Sequence, residues 1–222
     1  MLRPAADASQ VDWLKFSTAE PPVVQSYAST GFAAYARVLN PANGFDGAPV
    51  RWSTVALKVG VDLTAETQWS ELAADLRDDG ELINLGPPDW SPDPGVARAL
   101  TAVLTPHTLT PQDCYFLVWE GYGTADHYFT GLGAPKIAVS KHRSLFLLEG
   151  SLQDACAPFM PDDQRLPNWW WPAGREWCVG NDIYARSLFV GGGQECIDAV
   201  LAHPDLEAVP ISPYSPVFEE LE

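Results

Sequence analysis

The sequence predicts an α+β fold, a single domain built on a mixed or antiparallel sheet with several packed helices. Short apolar runs with strand character are interspersed with segments of helical periodicity, and no internal repeat or low-complexity linker divides the chain. At 222 residues, 46% hydrophobic and 19% charged, the composition is that of a globular protein, neither disordered nor fibrous. Surface scaling for this mass gives about 10,000 Å² folded against about 35,000 Å² unfolded, so roughly 70% of the surface is buried without help from disulfides or metal.

Residues 1–30 carry Pro4, Pro21 and Pro22 among scattered apolar positions and read as an N-terminal arm, anchored by Trp13, Leu14 and Phe16; residues 31–222 form the domain. Phe32, Ala34, Ala36 and Val38 alternate with Ala33, Tyr35, Arg37 and Leu39 up to Asn40-Pro41, which predicts a first strand. Segments 51–60 and 67–79 read as helices, the second from the spacing of Leu72 and Leu76. Asp93-Pro94 is a helix start, with Asp at the N-cap and Pro at the first helical position; the stripe Val96, Leu100, Val103 and Leu104 follows and ends before Pro106.

After a capped turn at 110–113, the run Tyr-Phe-Leu-Val-Trp-Glu at 115–120 predicts a buried strand closed by Gly121-Tyr122-Gly123. Two apolar runs, 136–140 and 144–149, flank Lys141-His142-Arg143 and predict a hairpin. Ser151 to Asp154 caps a short helix that Pro158 ends. Residues 161–172 read as a proline-bounded loop running into Trp169-Trp170-Trp171. Strands follow at 177–179 and 187–190, joined through Asn181-Asp182, and then a helix at 194–203 opened by Gly191-Gly192-Gly193 and a short strand at 209–211.

The charge excludes one class of partner. Thirteen Lys and Arg against 29 Asp and Glu give a net charge of −16, acidic in both halves of the chain, and such a surface repels phosphate backbones. The same surface promotes solubility and steers towards a basic partner. Segments 53–61 and 67–76 have the outline of a helix-turn-helix, but the second carries Glu66, Glu71 and Asp75 where DNA readout calls for basic or amide side chains. Cys114, Cys156, Cys178 and Cys196 form no C-x-x-C knuckle and read as thiols. No segment has the length and apolarity of a signal peptide or membrane span, so a soluble cytoplasmic chain is expected.

No strong catalytic motif is present. His107, His127, His142 and His203 are isolated, without metal-binding spacing, and no metal or cofactor is expected. Asp126-His127 lacks a G-x-S-x-G partner and reads as a surface loop among Gly121, Gly123, Gly131 and Gly133. Gly191, Gly192 and Gly193 at a helix start suit anion binding, yet no base follows in the helix, and tight packing explains them as well. Glu120, beside Trp119 at a strand end, and Asp182, near Trp177, are the candidate catalytic carboxylates; a hydrogen-bonded strand-end acid is the alternative for each.

The aromatic cluster is the candidate binding surface. Three consecutive Trp side chains, 169 to 171, cannot all face one core, so at least one is expected to be exposed; Arg175 and Trp177 extend the patch through a cation–π contact, unless the loop folds back onto its own sheet.

The motifs W-W-P-x-x-R-x-W-C-V (170–179), V-G-G (190–192) and F-L-V-W-E-G-Y-G (116–123) resemble those of a group of uncharacterised actinobacterial proteins of about this length. The resemblance spans most of the chain from Phe32 and implies a bacterial, cytoplasmic origin; the group has no established activity, cofactor or catalytic residue. Two functions fit. The first is a non-catalytic interaction module, of the immunity or regulatory kind, that docks a basic protein; the second is a small hydrolase or ligand-binding enzyme with Glu120 and Asp182 in a Trp-lined cleft.

Overall fold

The structure, a computed structural model, describes residues 1–15, 21–76, 82–140 and 143–217. Its chain order begins with strand β1 (Arg3–Pro4), helix α1 (Gln25–Ala28) and strand β2 (Ala34–Leu39). A small hairpin, β3 (Ala42–Asn43) and β4 (Pro49–Val50), leads into helices α2 (Trp52–Val59), α3 (Trp69–Asp75) and α4 (Pro94–Leu104). Then come β5 (Cys114–Trp119), α5 (Ala125–Gly131), β6 (Lys136–Ser140), β7 (Arg143–Gly150), β8 (Trp169–Pro172), β9 (Trp177–Gly180), β10 (Ser187–Gly192), α6 (Gln194–Ala202) and β11 (Ala208–Pro210).

Among the described residues, nine strands pair antiparallel into one sheet, in the order β1-β7-β5-β8-β9-β10-β2-β11, with β6 sharing the outer edge of β7 with β1. The fold is therefore α+β. The hairpin β6–β7 stands as expected, although Lys141 and His142 at its turn lie outside the described residues, as does Phe16 of the expected arm. The end of the second expected helix, beyond Leu76, lies outside them as well.

Helix starts follow their side chains. Asp93 Oδ1 accepts the amides of Gly95 (2.7 Å) and Val96 (3.1 Å) at the start of α4, as the Asp-Pro signal predicts. The cap of α2 comes from far away: both oxygens of Glu207 accept backbone amides, from Trp52 at 2.6 Å and Ser53 at 2.8 Å. A helix at 125–131 replaces the expected surface loop. Ala125 and Phe129, one turn apart, turn into the core, and that burial outweighs the flanking glycines.

The sheet is buried on both faces. On the first, Ala36, Val38, Phe116, Val118, Trp170 and Val179 meet α4, α5 and α6. On the second, Leu117, Leu147, Trp169, Trp171 and Phe189 are covered by Leu14, Val24, Tyr27 and Ala28 from the N-terminal segment. A third cluster joins α2 to α3 through Trp52 and Trp69, whose ring centroids lie 5.3 Å apart, and seats both on Leu39.

This two-faced burial corrects the expectation of an exposed Trp. Residues 169–172 are a strand, not a loop end, so alternate side chains go to opposite faces, each of which has its own core. Trp169, Trp170 and Trp171 are 3%, 0% and 1% exposed. The folded surface of 10483 Å² agrees with the area expected from chain mass.

Candidate functional site

One end of the sheet gathers the polar network of the protein. The antiparallel register brings together the C-terminal ends of β5 and β9 and the N-terminal ends of β7 and β8, since Leu117 pairs with Trp169 and Trp169 with Gly180. Beneath this end, the fully buried Asn168 donates to the Tyr122 hydroxyl (2.7 Å) and to Asn181 Oδ1 (3.3 Å), and accepts from the Trp119 amide (3.3 Å). Burial pushes the Tyr122 phenol well above its ordinary range, so it keeps its proton and donates it to the Trp90 carbonyl.

Trp90 is held on its other side by its own amide, which donates to the Ile183 carbonyl at 2.9 Å. Its backbone lies in the left-handed region, at φ +66°, a conformation of roughly 1 kcal/mol cost in a non-glycine residue that persists where surrounding bonds enforce it. The ring is 38% exposed. It packs on Tyr184 at 5.3 Å and Trp119 at 6.2 Å between centroids, and the Arg143 guanidinium lies 5.8 Å from the Tyr184 ring. Sequence reasoning missed this surface. A lone Trp in a proline-rich stretch carries no periodic signal, and its neighbours come from three other segments.

Asp182 sits under the same surface as an anchor. Its Oδ2 accepts from the Tyr27 hydroxyl at 2.8 Å and from Arg143 at 2.6 Å, and its Oδ1 accepts the Tyr184 amide at 2.9 Å. Glu120, at the neighbouring strand end, pairs with Lys136, which also reaches Asp126 at 2.9 Å. Each carboxylate thus has its own cation. Neither lines the surface cavity of ≈ 540 Å³ beside α2 and α4, and Trp177 lies at the opposite end of β9 from Asp182, its indole donating to Thr108 Oγ1 at 3.0 Å.

The remaining candidates are dispersed. Arg175 is exposed, but its cation–π partner is Trp13, at 5.7 Å, in place of the expected Trp177, which is fully buried. Gly191 and Gly192 end β10 and Gly193 caps α6, so two of the three glycines belong to the strand. Close packing accounts for Gly191, where a side-chain carbon would sit 2.5 Å from the Phe32 ring and 2.9 Å from Tyr35. Glu195 already occupies the first turn of that helix, where it complements the dipole an anion would use.

Cys114, Cys178 and Cys196 are buried free thiols; Cys156 is half-buried beside Thr101 Oγ1 at 3.2 Å. Burial raises the thiols of Cys114 and Cys196 to about 12 and about 11, which keeps them protonated and unreactive. Among the described residues, no group of three or more His, Cys, Asp or Glu is placed to hold a metal ion, and no helix is long and apolar enough to cross a membrane. No family model, no curated protein and no solved structure matches this chain.

Proposed function

We propose that the chain is a non-catalytic interaction module that docks a basic protein through Trp90, Tyr184 and Arg143. One observation carries the reading: a partly exposed Trp on a left-handed backbone whose amide donates to the Ile183 carbonyl and whose carbonyl accepts from the Tyr122 hydroxyl. A side chain fixed before binding loses little freedom on binding, which is how rigid anchors gain affinity. Trp, Tyr and Arg are also the residue types enriched at interface hot spots. The net charge of −16 supports the choice of a basic partner, since opposite charge speeds encounter and orients it. Asp182 and Glu120 serve the surface from below and beside it: one holds Arg143 and the other holds Lys136.

The test places a photo-crosslinking amino acid at position 90 and captures proteins from lysate of the source organism. A captured protein is then purified and its affinity measured against wild type and Trp90→Ala, at low and high salt. The expected result is a basic protein whose Kd rises about 30-fold with Trp90→Ala and rises further with salt. Equal affinity of the two chains, or no cross-linked protein that excess wild type competes away, overturns the proposal.

A further inference from the structure

A cavity of ≈ 540 Å³, lined by none of these residues, lies between the N-terminal ends of α2 and α4, the end of α6 and the segment leading into β11. We infer that it is a binding site for a small organic monoanion with an apolar body, a carboxylate carrying a short alkyl or aryl group.

The volume lies in the range of small-molecule sites. Its wall is apolar, formed by Leu39, Val96, Ala99 and Ala102. Arg51, Arg98 and His203 stand among the lining residues. Among the described residues, Arg98 makes no hydrogen bond or ion pair, and Arg51 donates only to the Pro204 carbonyl. In a chain with 29 acids and 13 bases, two guanidiniums without a carboxylate partner at the mouth of one apolar cavity are an open fork for an incoming carboxylate. His203 Nδ1 accepts the Asp205 amide at 3.3 Å, which places the ring proton on Nε2 as a further donor.

The acids of the cavity set the charge of the ligand. Asp93 and Glu207 are occupied by the backbone amides that begin α4 and α2, and Asp205 adds a third carboxylate to the lining. Three carboxylates in the lining disfavour a polyphosphate or dianion and favour a single negative head that the arginines can meet. The apolar wall then takes the body of the ligand, whose burial supplies the affinity that an exposed ion pair alone lacks.

The probe is octanoate, titrated calorimetrically into the full chain, with octanol as a body without charge and inorganic phosphate as a charge without body. Arg98→Gln removes the unpaired guanidinium, and Ala102→Trp fills the cavity; both positions are exposed on α4, and circular dichroism with thermal melting checks each fold. The wild type is expected to bind one octanoate saturably, about ten-fold or more tightly than either variant does, and more tightly than it binds octanol or phosphate. Octanoate bound equally well by Arg98→Gln or by a folded Ala102→Trp overturns the inference. So does octanoate bound no better than octanol or phosphate, or no saturable binding.

Discussion

The hydroxyl of Tyr27 donates to Oδ2 of Asp182 at 2.8 Å, tying the N-terminal segment to the loop between β9 and β10 across 155 residues of sequence. Tyr27→Phe removes this bond but leaves Asp182 its bonds from Arg143 and the Tyr184 amide, so a loss of about 1–2 kcal/mol is expected. Asp182→Asn removes the counter-charge of Arg143 and is expected to cost more, about 3 kcal/mol. Urea denaturation of the two variants measures the difference; equal losses would mean that the ion pair adds nothing beyond the tyrosine bond.

Trp170 and Trp90 are expected to separate stability from binding. Trp170 is fully buried against α4, α5 and α6, and its replacement by Ala is expected to cost about 3–5 kcal/mol. Trp90→Ala keeps the left-handed backbone, since alanine's Cβ meets the same steric penalty, and loses only a partly exposed ring, so stability is expected to change by less than about 1 kcal/mol. Thermal melts of both variants check this. A severe loss at Trp90 would mark it as a core residue.

Acid stability is expected to depend on Asp163. Hydrogen bonds from the Arg165 guanidinium, 2.8 Å from Nε and 2.5 Å from NH2, hold its carboxyl below the usual range. Because the folded value is the lower one, this contribution is complete above the unfolded value of about 3.9 and is lost as pH falls through the folded value. Asp163→Asn should therefore flatten the fall in stability below about pH 4 while lowering stability at pH 7. Urea midpoints for both chains between pH 2 and 7 supply the comparison; parallel curves would assign the acid sensitivity to other carboxylates.

Alkylation is expected to sort the cysteines by burial. With iodoacetamide near pH 8, Cys156 should react slowly in the native chain, whereas Cys114, Cys178 and Cys196 should react only after unfolding. Mass spectrometry of timed samples reads the order. Rapid native labelling of Cys114, whose thiol burial raises to about 12, would require that β5 open locally.

Elements with local causes were legible in the sequence. Asp93-Pro94 announces α4 because the cap and the residues it serves are neighbours, and the continuous apolar run of β5 reflects a strand with cores on both sides. The Trp triplet misled for the opposite reason. Its alternation is that of a strand, but exposure depends on whether a second core exists, and that core is completed by Leu14, Val24 and Tyr27, over 140 residues upstream. The surface at Trp90 was illegible likewise: its backbone is fixed by Tyr122 and Ile183, and its ring contacts come from Trp119 and Tyr184. The cavity draws Arg51, Arg98 and His203 from three helix ends that only the fold brings together.

Strand β2 lies between β10 and β11, with Arg37 Nε donating to Ser187 Oγ across 150 residues at 2.9 Å. A chain emerging from the ribosome N-terminus first therefore exposes β2 long before either neighbour has been made. The hairpin β6–β7 and the succession β8, β9, β10 can form from nearby sequence, but β2 must wait until residue 210 has been translated. Helices α2 to α4 can cover Val38 and Leu39 early, but until β10 has been made β2 is a strand with two open edges. The pace of translation through the last third of the message thus sets how long a nascent chain is open to aggregation or to capture by a chaperone.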